Sequence, residues 1–423
     1  MKRRTFLKNS ILTAIGVGFG SGFGQSALAQ SDRFSGTVQA NTDKVVVAIN
    51  LFGGNDGLNT VVPLGQYARY LELRPTLALT QSELLPVAGG AVALNPGMTQ
   101  LQSLFNNNKV AIIQGVGFPR NGVGLFDHER SQFGFQSGYT NGAATNATGW
   151  LGRYLESIGG TMISPGVDFG GGGLLLRGTT KIPLAIDSIE SFDLYPGDSE
   201  DWDLRRQTYQ QMMNVAIPAS PVGEFNRNQR KRALEQSTIV QQQAGNYVPA
   251  VQYPAGNRVA DKLKECAAMI KADLGVRALS VGFGGFDTHD TQNQKNPGEL
   301  GYHDFLLKTV SDAVGAFQSD LEAQGLGGRV ITVIFSEFGR TPNENTNFGT
   351  DHGYASLMFV VGSTVQGGLY GQYPSLNEND FFYDNLDVNT DFRSVYATIL
   401  ERFYGVNPAP ILGQSFPVIH FLA

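Results

Sequence analysis

The sequence predicts an α/β protein: a large central, mostly parallel sheet sandwiched by helices, in one domain with an insertion in its middle. Three observations carry this. Apolar, β-branched runs recur at residues 44–52, 110–118 and 276–283 and again from Val330, the composition of strands buried on both faces. Between them, apolar residues return at three- and four-residue steps, so strand and helix alternate as in a parallel sheet covered on both sides. Several runs then break off into Gly-rich loops that hold Asp, Glu and His, at the edge where open α/β sheets place their ligands.

In chain order, residues 1–29 come first. KRRTFLK, a mild apolar stretch over 11–19 and Ala27, Leu28 and Ala29 form a secretory signal of the twin-arginine type. It predicts a periplasmic or secreted destination, with the twin-arginine (Tat) export machinery as a partner. Such a chain crosses the membrane folded, which suits a cofactor loaded beforehand. Removing the signal's four basic residues from 31 leaves 27 against 37 acidic ones, a formal charge of −10. That balance argues against nucleic acid as a partner. No apolar run in the mature part reaches the ~20 residues of a membrane span. The single cysteine, Cys266, allows no internal disulfide and sits at a helical core position.

Residues 30–43 are a flexible lead-in, and 44–423 form the domain. The first strand, 44–52, ends at GGNDGLN and leaves Asp56 at its carboxyl end. Residues 65–79 read as an irregular segment, 95–109 as a helix, and 110–118 as the second strand. A helix opening at Thr148 puts Trp150, Leu151, Tyr154 and Leu155 on one face. The glycine run 170–173 lacks the Gly-Lys-Ser/Thr of a phosphate loop and reads as a turn or close backbone approach. Residues 187–258, acidic and then rich in Gln, Asn and Arg, are the helical insertion or cap. Its RNQRKR cluster reads as a solvated helix face. A helix near 259–271, the strand 276–283 and an amphipathic helix over 302–324 follow, with Leu306, Val310, Val314, Phe317 and Leu321 inward. The strand from Val330, a further strand at SLMFVVG and a helix at DFRSVYATILERFYG complete the chain.

The chemistry-bearing residues gather in the loops. Asp287 and His289, two apart in an extended segment, point the same way, as two ligands of one metal would. Asp351 and His352 suit two ligands, or one ligand and its orienter. With Asp56 and Glu337 these give oxygen and imidazole donors without sulfur, a set for a divalent Zn, Mn, Fe, Mg or Ca ion. Arg340 suits either an oxyanion or a pairing with Glu337. His303 and His420 stand outside, as a helix-start and a C-terminal packing residue.

LFGGNDGLNTVVPL, FDHERSQFGFQSG, GWLGRYL, GGFDTHDTQ, FSEFGRTPNEN with GTDHGY, and DFRSVYATIL resemble the conserved blocks of the DUF1501 family, from about residue 44 to 405. The resemblance implies an alkaline-phosphatase-like and sulfatase-like fold. It implies a metal ligand at Asp56, a shared metal for Asp287 and His289, and Glu337 with Phe338 where an Asp-His pair is usual. It places the nucleophile region at FDHERSQ, with Ser131 as a candidate hydroxyl and His128 as an acid or as an anion or metal binder. The expected function is an exported metal-dependent hydrolase of phosphate or sulfate esters acting on a small-molecule or glycan ester. The alternative is a non-catalytic envelope or carbohydrate-associated protein that retains the fold.

Overall fold

A computed structural model describes residues 43–120, 126–140, 147–159, 161–192, 202–215, 220–295 and 299–423. The expected signal and nearly all of the lead-in, residues 1–42, lie outside them, as does the acidic stretch 193–201. In chain order the strands are β1 (Val45–Phe52), β2 (Val61–Pro63), β3 (Leu85–Val87), β4 (Val92–Leu94), β5 (Val110–Gly117) and β6 (Gly166–Phe169). After them come β7 (Leu184–Ala185), β8 (Ala278–Gly284), β9 (Val330–Phe335), β10 (Ser356–Val361), β11 (Gly368–Tyr370) and β12 (Thr390–Asp391).

The main sheet runs β11-β5-β10-β9-β1-β8-β6-β7, with β12 also on β5. All pairings are parallel except those of β10, which is antiparallel to both β9 and β5. β1 is fully flanked, by Ala278 to Gly284 of β8 and Val330 to Phe335 of β9. Its alternation serves two cores. Val45, Val47, Ile49 and Leu51 face one side, with the helices Arg258–Lys271 and Tyr302–Ala323. Val46 and Ala48 face the other, with the helices Trp150–Leu155 and Phe392–Thr398. A fully buried Val or Ile contributes about 1.5–3 kcal/mol, which explains the continuous apolar runs.

The helix expected from Thr148 starts at Trp150, with Gly149 as its N-cap. A Cβ on Gly149 would stand 2.0 Å from the Leu174 carbonyl oxygen, so only glycine admits that approach. The stretch expected to be a helical insertion contains helices at Trp202–Asn214 and Pro221–Ala244, the second carrying RNQRKR. Within 65–79, read as irregular, a helix forms at Tyr67–Leu73. A separate antiparallel sheet, β2-β4-β3, lies nearby.

The reversal of β10 matters for the site. The loop after β9 begins at the sheet's carboxyl edge with Ser336 and Glu337 and must return to that edge before entering β10. Residues 351 and 352 therefore come back beside 337. Because β9, β1 and β8 are neighbours, the loops that follow all three meet there.

Candidate metal centre

Tight backbone contacts build the loops. Gly53 (φ 123°) and Gly54 (φ 76°) turn the chain after β1, and a Cβ on Gly53 would lie 2.3 Å from the Asp287 nitrogen. A Cβ on Gly349 would lie 2.3 Å from the His289 carbonyl, so the 349 loop rests on the 289 loop. Arg340, fully buried, fastens them. Its Nε donates to Gly54 O at 2.7 Å and Nη1 to Thr350 O at 2.9 Å. Nη2 meets the carbonyls of Gly53 and Phe286 and Asp287 Oδ1, the last at 2.7 Å.

Three imidazoles converge on Asp287. Each has Nδ1 held by an oxygen that accepts: His128 by Glu337 Oε1 at 2.9 Å, His289 by Asp351 Oδ1 at 3.1 Å, and His352 by the Phe126 carbonyl at 2.7 Å. An acceptor at Nδ1 favours the proton there, and in that tautomer the Nε2 lone pair faces inward. His289 Nε2 and His352 Nε2 stand 2.9 Å apart, and they lie 3.1 and 3.2 Å from Asp287 Oδ1. His128 Nε2 is 3.5 Å from Asp287 Oδ2. The ligand atoms of His128, Asp287 and His352 all fall within 4.8 Å of one another.

In that tautomer the lone pairs and the carboxylate repel at such separations unless a cation, a metal ion or a proton on Nε2, lies among them. Donors held ~2.0–2.2 Å from a zinc-like ion stand roughly 3.0–3.5 Å from each other. The residues therefore fit a divalent ion, and three imidazoles with one carboxylate suit Zn, Mn or Fe better than Mg or Ca.

Electrostatics agree with ligand duty. Burial raises the Asp287 carboxyl, but the Arg340 hydrogen bond and charge outweigh it and hold it below the usual carboxylate range. Burial keeps the His352 imidazole below its ordinary value, so it stays neutral more readily. The Asp287 and His289 side chains are 49% and 44% exposed, which leaves one side of the cluster open.

Several sequence-based expectations need correction. Asp56 was expected among the metal ligands, yet it is fully buried and saturated. Oδ2 accepts from Arg74 Nη1 at 2.7 Å and Gln292 Nε2 at 2.6 Å, and Oδ1 from Arg74 Nη2 at 3.1 Å and the nitrogens of Leu58 and Asn59. Burial raises its carboxyl, but Arg74 more than offsets this and brings it to about 2. Glu337 and Asp351 orient His128 and His289 from behind. Glu337 also accepts from Gly53 N at 2.9 Å and Gln132 Nε2 at 3.2 Å. Arg340 pairs with neither an oxyanion nor Glu337, because carbonyls and Asp287 take its donors. Ser131 is 1% exposed inside the helix His128–Ser137, so its hydroxyl does not reach the open side. Phe338 packs 4.8 Å from the His128 ring and 4.7 Å from the His352 ring, as an apolar wall.

His128, read as an acid or as a binder of anion or metal, stands in one cluster with Asp287 and His352, which suits the metal alternative. His303 is buried near the helix start, with Nε2 3.0 Å from Asn55 Oδ1, while His420 is exposed rather than packed. The sequence reading missed Arg74 and Gln292. Gln292 closes the GGFDTHDTQ block but carries no charge or imidazole to mark it, and Arg74 stands at a helix end with nothing local to show that it reaches Asp56. Cys266 is free and buried, and burial pushes its thiol up.

The family model described as "Protein of unknown function (DUF1501)" matches residues 43–409. No curated protein matches the chain. Among solved structures it is similar to a protein in the alkaline phosphatase superfamily from Vibrio parahaemolyticus, at 10% identity and TM-score 0.39, covering 98% of this chain and 78% of that one. It is similar to the PsFucS1 sulfatase from Pseudoalteromonas sp., at 12% identity and TM-score 0.39, covering 90% and 72%. It is also similar to a putative sulfatase from Bacteroides thetaiotaomicron VPI-5482, at 10% identity and TM-score 0.37, covering 89% and 76%. Likenesses this distant carry no statement about chemistry.

Proposed function

The chain belongs to the DUF1501 family, and because that family's description assigns no activity, we propose a function from the site: an exported metal-dependent hydrolase of phosphate or sulfate esters. The observation that carries the proposal is the convergence of three Nε2 lone pairs on the Asp287 carboxylate, each imidazole fixed from behind by an oxygen. His128, Asp287 and His352, with His289 beside them, would hold one divalent ion. Such an ion supplies Lewis acidity to a phosphoryl or sulfuryl oxygen and lowers the pKa of an attacking water. Arg340 keeps Asp287 ionised and in place, Phe338 walls the inner side, and the exposed edges of Asp287 and His289 leave room for an ester. With Ser131 buried, water is the nucleophile this site favours. The substrate class is a small-molecule or glycan ester. Export rests on the twin-arginine pattern in residues 1–29, and a periplasmic or secreted destination goes with it. Among the described residues no helix is long and apolar enough to cross a membrane.

A second reading, a non-catalytic envelope or carbohydrate-associated protein with a structural ion, is favoured by the spent donors of Arg340, which leave no cation of its own for an oxyanion. The deciding experiment is metal content by mass spectrometry of protein purified without chelators, beside a His289→Ala, His352→Ala variant. About one equivalent of a transition metal in the wild type and none in the variant supports the site. Turnover of nitrophenyl phosphate or sulfate then separates hydrolase from scaffold. Protein that stays empty after metal is supplied ends the hydrolase reading.

A further inference from the structure

Gln292 lies behind the cluster, fully buried, with every hydrogen bond of its amide oxygen directed at a ligand-bearing loop. Its Nε2 donates to Asp56 Oδ2 at 2.6 Å, an ionised oxygen that only accepts. The amide oxygen is thereby left to receive Thr288 Oγ1 at 2.9 Å and Thr350 Oγ1 at 2.7 Å. These three partners set the orientation of the amide without ambiguity. Thr288 stands between Asp287 and His289, and Thr350 immediately precedes Asp351 and His352. One oxygen thus clasps the two loops that carry most of the metal ligands. The backbone repeats the clasp, since Thr350 N donates to Thr288 O at 3.0 Å.

The far end is anchored. Asp56 is paired with Arg74, which is itself fully buried and donates from Nε to Pro342 O at 2.7 Å and from Nη2 to Thr341 O at 2.8 Å. Those carbonyls belong to the loop after β9. A buried amide costs desolvation unless its bonds are made, so a residue that only filled this space would be better apolar.

We infer that Gln292, through Thr288 and Thr350, is a positioning residue that sets the spacing of the two ligand-bearing loops and with it the affinity of the site for its ion. This rests on the metal-centre reading above. The test titrates the full chain with Zn2+ against a chromophoric chelator and records the visible spectrum with Co2+, for wild type, Thr350→Val, Thr350→Ser and Gln292→Met. Thr350→Val keeps the shape and deletes the donor, while Thr350→Ser keeps the donor. Loss of a direct outer partner of a metal ligand costs about 10–100-fold in affinity; Thr350 and Gln292 act one bond further out, so Thr350→Val and Gln292→Met bind Zn2+ about 10-fold more weakly, with a shifted Co2+ spectrum, whereas Thr350→Ser stays within about threefold of wild type. If Gln292→Met does not fold, the Val and Ser pair decides. Folded Thr350→Val with wild-type Zn2+ affinity and an unchanged Co2+ spectrum overturns the positioning role alone. A wild type that takes up neither ion removes the metal centre, and this inference with it.

Discussion

Asp56 and Asp287 follow neighbouring strands, β1 and β8, each meets an arginine, and they end in opposite states. Asp56 is sealed from solvent, and its two oxygens receive two guanidinium nitrogens, an amide and two backbone N–H groups. Asp287 is half exposed, receives one guanidinium nitrogen, and faces imidazole lone pairs. The difference lies in how the arginines divide their donors. Arg74 gives both terminal nitrogens to Asp56, whereas Arg340 spends all but one of its bonds on carbonyls. A carboxylate satisfied by fixed donors is a structural ion pair. One left with lone pairs around it is a place for a cation.

This contrast can be broken at several points. The largest effect belongs to Arg74→Met, which strands a buried carboxylate and lowers unfolding stability by about 3–5 kcal/mol in urea titration. A loss below about 1 kcal/mol would mean that Asp56 is not held by its arginine. Next, Zn2+ at roughly a hundred times its Kd stabilises the wild type by about 2.7 kcal/mol, read by thermal melts, and Asp287→Asn by about 1.4 kcal/mol or less. An equal gain in both proteins would take Asp287 out of the site.

Acid sharpens the Asp56 side. Its folded carboxyl titrates at about 2 against 3.8 for the ordinary group. The stabilisation is therefore fully present above that ordinary value and is lost as pH falls toward the folded one, about 2 kcal/mol in all. Urea unfolding at a series of pH values shows this slope in the wild type, and Arg74→Met lacks it. The smallest effect is that of Asp287→Asn without metal. The group is half exposed and its amide oxygen still accepts from Arg340, so stability stays within about 0.5 kcal/mol of wild type by the same urea titration.

The strands at the centre of the sheet were legible because burial on both faces demands continuous apolar runs, as in β1, β5 and β9. The direction of β10 was not. SLMFVV is equally apolar read either way, and only its pairing with Ile112 and Ile334 on its two neighbours sets its sense. β2, β3 and β4 escaped notice because three residues carry no period. In the site, Asp287 with His289 and Asp351 with His352 were recognisable by residue type and loop composition. Whether each is a ligand or an orienter depends on which nitrogen meets which oxygen, and that is settled only when the loops pack. Asp56 was misjudged because its fate depends on Arg74, which arrives from the end of a helix with no local sign of its destination.

The place of β1 in the sheet has a consequence for how the protein is made. Its neighbours β8 and β9 are complete only once Phe335 has been synthesised. Until Gly284 has been made both edges of this Val-rich strand are unpaired, and one stays so until Phe335, the kind of segment that sticks to other chains. Pairing across so long a separation is slow. Low expression temperature and abundant chaperone should therefore raise the soluble yield more than any change to the finished surface.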